Sequence, residues 1–138
     1  MRTLYTAVST AHGGRDGHVR SSDGIVDLDL KTPKEMGGPG GAGTNPEQLF
    51  AAGYAACFES AMRAVARKQK KPLVDASVTG HVSFNVADGG KFVLSVELHA
   101  KVDGLSRDDT QVLMQAAHEV CPYSNATRGN IEVKLIAD

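Results

Sequence analysis

The stretch from Gln48 to Phe58 constrains this chain more than any other. It is uncharged and largely apolar until Glu59 ends it, and its composition predicts a helix. At 3.6 residues per turn, Leu49 through Phe58 place apolar side chains on every side, so the helix has no face suited to water and must be covered all round. Its small residues Ala51, Ala52, Gly53, Ala55 and Ala56 allow another backbone to approach closely. The run is too short for a membrane span, which needs about 20 residues. The start is marked as well. Thr44 or Asn45 can cap, Pro46 suits the first turn, and Glu47 complements the positive end of the helix dipole.

Strands surround this helix in the sequence. Leu4–Ala11, His18–Ser21 and the alternation of Val26, Leu28 and Leu30 with Asp27 and Asp29 predict three short strands, the last half-buried. The glycine-rich loop His12–Gly17 and the turn Ser22–Asp23–Gly24 separate them. Pro33 to Gly43 reads as loop. Residues 76–86 and 92–102 alternate cleanly around Asp88–Gly89–Gly90, which predicts an antiparallel hairpin. Ser106, with Asp109 three residues on, caps a second helix whose stripe is Val112, Leu113, Ala116, Ala117 and Val120. Pro122 places Cys121 at or just past the end of that helix. Ile131, Val133, Leu135 and Ala137 make a last strand. The expected class is α+β with antiparallel sheet, in a single domain over residues 1–138.

Charges nearly cancel, 15 Lys+Arg against 16 Asp+Glu, which argues against a nucleic-acid or membrane-surface protein. The basic run Arg67–Lys71 suits the negative end of the first helix. The N-terminus lacks the apolar core of a secretory signal, so a cytoplasmic location is expected.

Two residues could carry chemistry, Cys57 and Cys121. Cys57 lies well past the first turn of its helix, where the dipole no longer lowers a thiol pKa and burial raises it. On pattern alone an inert core cysteine competes with a reactive one. Cys121 sits in a polar segment with turn formers, Cys121 to Asn130, where solvent can reach it. His118 and Cys121 supply two metal ligands where zinc wants three or four, and the remaining histidines are scattered. Arg15 in its glycine loop and Glu47 in the first turn both have ordinary structural roles.

Three segments carry a resemblance. Gly13-Gly14-Arg15-Asp16-Gly17, Thr44 through Phe58 and Cys121 through Asn130 resemble the organic hydroperoxide resistance (Ohr) proteins of the OsmC/Ohr superfamily, over a span from Leu4 to about Leu135. The resemblance implies an intertwined homodimer with antiparallel sheet wrapped around long central helices. It implies a thiol peroxidase that reduces alkyl and lipid hydroperoxides to alcohols. Cys57 would be the peroxidatic residue, Cys121 the resolving one, Arg15 the thiolate-stabilising cation and Glu47 the carboxylate that holds it. The implied reductant is a dihydrolipoyl group on a lipoylated protein, with no metal, flavin or haem. Glu59 stands where an apolar or small residue is usual, and is expected to point away from the thiol. A non-catalytic redox sensor or binding module, and a structural dimer with inert thiols, are the rival readings.

Helix arithmetic adds a condition. Glu47 and Cys57 stand ten positions apart, about 15 Å along one straight helix. One arginine cannot easily serve both, so either the helix breaks near Gly53 or a second chain completes the site.

Overall fold

The computed structural model describes every residue from Met1 to Asp138, and the chain forms two compact units, Met1–Leu49 and Phe50–Asp138. The first unit holds a three-stranded antiparallel sheet in the order β1 (Ser9–His12), β2 (His18–Ser21), β3 (Asp27–Asp29). A single 3-10 turn, Gly14–Asp16, joins β1 to β2. Glycine is required in this connection. Gly13 has a left-handed φ of 84°, and a Cβ added at Gly17 would lie 1.8 Å from the His12 carbonyl oxygen. Gly17→Ala is therefore expected to destabilise this hairpin by about 1–3 kcal/mol, read as a lower midpoint in thermal denaturation.

The first strand is shorter than predicted, starting at Ser9 rather than Leu4. Its partner runs out: β2 ends at Ser21, and although Ser22 N–H still reaches the Val8 carbonyl at 2.9 Å, the chain then turns through Gly24. The predicted half-burial of the third strand holds for Leu30 (4% exposed) but not for Leu28 (42%). Asp27 and Asp29 both grip the His18 ring, at 2.5 and 2.7 Å, and these hydrogen bonds raise its pKa. The Pro33–Gly43 loop contains one 3-10 turn, Lys34–Met36.

α1 (Pro46–Lys68) begins where its sequence signals predict. Asn45 is the cap, its Oδ1 accepting the Gln48 N–H at 2.8 Å. The helix is unbroken at Gly53. Its buried residues Tyr54, Phe58, Ala61, Met62 and Ala66 form one face, while Ala52, Ala56 and Ser60, at the same four-residue spacing, are exposed. The all-round cover expected of this helix is thus not completed within one chain.

In the second unit β4 (Ala76–Val86) and β5 (Phe92–Val102) pair along their full length, from Ala76↔Val102 to Val86↔Phe92, as the alternation predicts. The turn at Asp88–Gly90 places Gly89 and Gly90 at φ of 80° and 81°. β6 (Val133–Ala137) joins β5 in parallel, the one departure from antiparallel pairing between strands, beside an isolated parallel bridge from Leu30 to Thr44. The connection explains it, because α2 (Arg107–Val120) and α3 (Pro122–Thr127) form the crossover a parallel neighbour needs. The core combines Tyr54, Phe58 and Met62 of α1, Val96, Leu98 and Ala100 of β5, and Leu113, Met114 and Ala117 of α2.

α2 is rotated from its predicted setting. The buried stripe is Thr110, Leu113, Met114 and Ala117, whereas Val112 and Val120 are 68% and 51% exposed. Gln111 accounts for the rotation. Its amide donates to the Leu135 carbonyl and accepts from the Ala137 N–H, both at 2.8 Å, locking α2 to the backbone of β6. The Ser106 cap is as predicted, its Oγ accepting the Asp109 N–H at 3.1 Å.

Candidate active site

Cys57 lies on α1, one position before the buried Phe58. Cys121 follows the last turn of α2, with φ −62° and ψ 122°, and its N–H still reaches the Ala117 carbonyl. Pro122 forces that extended geometry and then opens α3 at its first position. The segment Cys121–Asn130, read from sequence as polar turn, therefore contains a short helix.

This geometry brings the two thiols together. Cys121 Sγ donates to Cys57 Sγ at 3.5 Å, and both are free thiols. The expected exposures are reversed: Cys121 is fully buried and Cys57 is half-buried. Cys121 closes the buried stripe of α2 one turn beyond Ala117, which draws it into the core despite its polar neighbours. Burial pushes the Cys57 thiol above its ordinary pKa, a hydrogen bond from the Tyr123 backbone opposes this, and the Cys121 thiol adds to the rise.

Gly53, rather than breaking the helix, makes room beside it. A Cβ there would lie 2.7 Å from the Tyr123 hydroxyl oxygen. The Tyr123 ring stands edge-on to Phe50, with centroids 6.2 Å apart. These two rings, with Phe92, Leu94 and Ile131, line a largely apolar cavity of about 590 Å³. That cavity and the backbone of Tyr123 escaped the sequence reading, since neither has a signature in residue spacing.

The structure brings Arg15 and Glu47 together within the Met1–Leu49 unit. The pair is bidentate, Nη1 donating to Oε2 at 2.8 Å and Nη2 to Oε1 at 2.7 Å. This places 32 residues of sequence separation between two groups in fork-to-fork contact. The hydrogen bond holds the Glu47 carboxyl below its ordinary pKa and raises that of Arg15. Asp16 braces the same turn, accepting the Thr32 N–H at 3.0 Å. Glu59 is engaged by Arg63 one turn along α1. His118, the other half of the two-ligand spacing, presents Nδ1 to Ser124 Oγ at 2.8 Å. Arg128 donates to the His118 carbonyl and to Asn125 Oδ1.

A pair of thiols at this distance can close to a disulfide, whose sulfurs sit about 2.05 Å apart. A guanidinium fixed by a carboxylate can present an oriented positive charge. No helix is long and apolar enough to cross a membrane.

Residues 38–136 match the OsmC-like protein family. The chain is 54% identical over 135 residues to an organic hydroperoxide resistance protein of Xanthomonas axonopodis pv. citri, covering 97% of this chain and 94% of that one. It is 50% identical over 134 residues to the organic hydroperoxide resistance protein OhrB of Bacillus subtilis, covering 96% of each. Among solved structures it is similar to an organic hydroperoxide resistance protein OsmC from Legionella pneumophila, with a TM-score of 0.93, 56% identity and 99% coverage of both chains.

Proposed function

We propose, since this chain belongs to the OsmC-like protein family, that it is a thiol peroxidase reducing organic hydroperoxides to alcohols. The observation that carries the reading is the 3.5 Å approach of the Cys57 and Cys121 sulfurs. The names of its relatives as organic hydroperoxide resistance proteins support the substrate class.

The Cys57 thiolate attacks one peroxide oxygen, the O–O bond breaks, and the alkoxide takes a proton to leave as alcohol. Cys57 is left as a sulfenic acid. The Cys121 sulfur then displaces the sulfenic hydroxyl, which leaves as water with the Cys121 proton, and a Cys57–Cys121 disulfide forms. An external dithiol, by family resemblance a dihydrolipoyl group on a lipoylated protein, reopens it by exchange and is itself oxidised. The apolar cavity beside Tyr123 and Phe50 favours alkyl and lipid chains over hydrogen peroxide. This cycle needs no metal, flavin or haem.

Burial alone opposes the thiolate, so the chemistry asks for a cation at the Cys57 sulfur. Arg15 takes that role, with Glu47 fixing its direction. The protein works as a cytoplasmic homodimer, in which the exposed Ala52–Ala56 side of α1 is covered by a second copy. A non-catalytic redox sensor with the same disulfide is the rival. Peroxide consumption driven by dihydrolipoamide, and poorly by monothiols, separates them: a sensor oxidises once per chain and stops.

Arg15→Ala is expected to raise the Cys57 pKa. The rate with alkyl hydroperoxide at neutral pH should fall roughly three- to fortyfold. A shift of about 1–3 units lowers the thiolate fraction, while the more basic thiolate regains part of the loss. The pH–rate profile of Cys57 alkylation should move to higher pH. An unmoved profile would assign the cation to another residue.

A further inference from the structure

Four polar side chains from three helices form a connected group one turn from each cysteine, and the peroxide chemistry uses none of them. The Tyr54 hydroxyl on α1 lies 2.9 Å from Ser124 Oγ and 3.1 Å from Thr127 Oγ1, both on α3. Ser124 Oγ lies 2.8 Å from Nδ1 of His118 on α2, and Thr127 Oγ1 donates to the Ser124 carbonyl at 3.2 Å. Tyr54 and Ser124 are 0% exposed and Thr127 is 5% exposed. Burial disfavours the charged form of His118, which suits its Nδ1 to accept from Ser124. Hydroxyls so deep in a core persist only when bonded to one another, and every one of these is.

The reason for spending polar groups here lies in α3. It has six residues, too few to hold a helix on their own. Its only buried side chains are Ser124 and Thr127. Tyr123 rests a partly exposed ring against Phe50, Gly53 and Tyr54, but no apolar side chain of α3 is fully buried, so the hydroxyl bonds to Tyr54 are its buried polar anchor to α1. At its N-terminal end α3 carries both residues that address the Cys57 sulfur, Cys121 through its thiol and Tyr123 through its backbone.

We propose that Tyr54, together with Ser124, Thr127 and His118, is a positioning device for disulfide closure, pinning α3 to α1 so that the Cys121 sulfur stays within reach of an oxidised Cys57. This rests on the peroxidase reading above. In the closing step the Cys121 sulfur attacks the sulfenic sulfur of Cys57, the S–O bond breaks, and water leaves with the Cys121 proton. The sulfurs must approach from 3.5 Å to about 2.05 Å along one line. A loosely held α3 would present Cys121 in that line only part of the time, lowering the closing rate through lost proximity. The attack of Cys57 on peroxide precedes closure and does not need Cys121 in place.

Tyr54→Phe removes the hydroxyl and keeps the ring among Phe50, Phe58 and Tyr123. Ser124 keeps His118 as partner and Thr127 keeps the Ser124 carbonyl, so no orphaned group forces unfolding. The experiment mixes reduced protein with one equivalent of cumene hydroperoxide. It follows the Cys57 sulfenic acid by dimedone trapping and the disulfide by thiol loss, each against time. The expected result is closure slowed about five- to tenfold, sulfenic acid formation slowed far less, since only the Tyr123 backbone contact reaches the first step, and transient sulfenic acid that wild type does not accumulate. Thr127→Val should slow closure in the same way, and Thr127→Ser, which keeps the hydroxyl, should restore it. If wild type closes its disulfide and both hydroxyl-deleted variants close as fast, the positioning role is overturned while the peroxidase reading stands. A parallel fall in both steps, unrelieved by Thr127→Ser, would make the network merely structural and also overturn it. Wild type that fails to oxidise at Cys57 would remove the peroxidase reading itself and the proposal with it.

Discussion

Cys57→Ser is expected to reduce peroxide turnover to background, whereas Cys121→Ser should still consume one equivalent of hydroperoxide and then stop. The two sulfurs lie 3.5 Å apart, yet their surroundings differ. Cys57 is half-buried and held by the Tyr123 backbone, while Cys121 is sealed at the junction of α2 and α3. A hydroperoxide needs a path to the attacking sulfur, and only Cys57 retains exposed surface. Serine at 57 offers an alcohol whose ionisation lies far above neutral pH, and the remaining thiol, Cys121, is buried, so no accessible nucleophile remains. Serine at 121 leaves the first step intact and removes the group that condenses with the sulfenic acid. Mass spectrometry of the peroxide-treated Cys121→Ser protein should find a trappable sulfenic acid on Cys57. An unmodified Cys57 in that variant would reverse the division of labour.

Mixing inactive Cys57→Ser chains with impaired Glu47→Ala chains should add restored sites worth about a quarter of wild-type activity once subunits exchange. The expectation follows from α1 being continuous from Pro46 to Lys68. Ten residues of unbroken helix separate the two backbones by about 15 Å, and helical side chains lean toward the N-terminus, carrying Glu47 further from Cys57. Arg15 is spread bidentate on Glu47. We therefore propose that Arg15 and Glu47 of one protomer serve Cys57 of the other. In a mixed dimer one site then has all its residues wild type and the other has both lesions. Random pairing makes half of the dimers mixed, hence the quarter. Should Glu47 act within its own chain, every site keeps one lesion, and demonstrated exchange without recovery would discard the trans arrangement.

Much of the fold was legible because its signals are local. The β4–β5 hairpin has the predicted ends, since period-two alternation and a Asp-Gly-Gly turn leave one register that buries Val96, Leu98 and Ala100. The N-cap at Asn45, the cap at Ser106 and the helix stop before Pro122 were equally readable. The long motifs around Cys57 and Cys121 led to the family, which the matched relatives support.

What sequence could not decide was set by partners distant along the chain. Residue types determined that Cys121 ends a helix, because proline excludes helical geometry in the residue before it. They did not determine its burial, which depends on how α2 is turned, and Gln111 sets that turn by bonding to β6. The direction of β6 likewise came from the α2–α3 crossover, since an alternating strand reads the same whether its neighbour runs parallel or antiparallel. Glycine at 53 looked like a point of weakness. Its use is steric, a gap for the Tyr123 ring from 70 residues away. Composition and periodicity report one chain segment at a time and so name the elements. The meeting of two sulfurs 64 residues apart is a property of packing, in which each side chain's position depends on all the others.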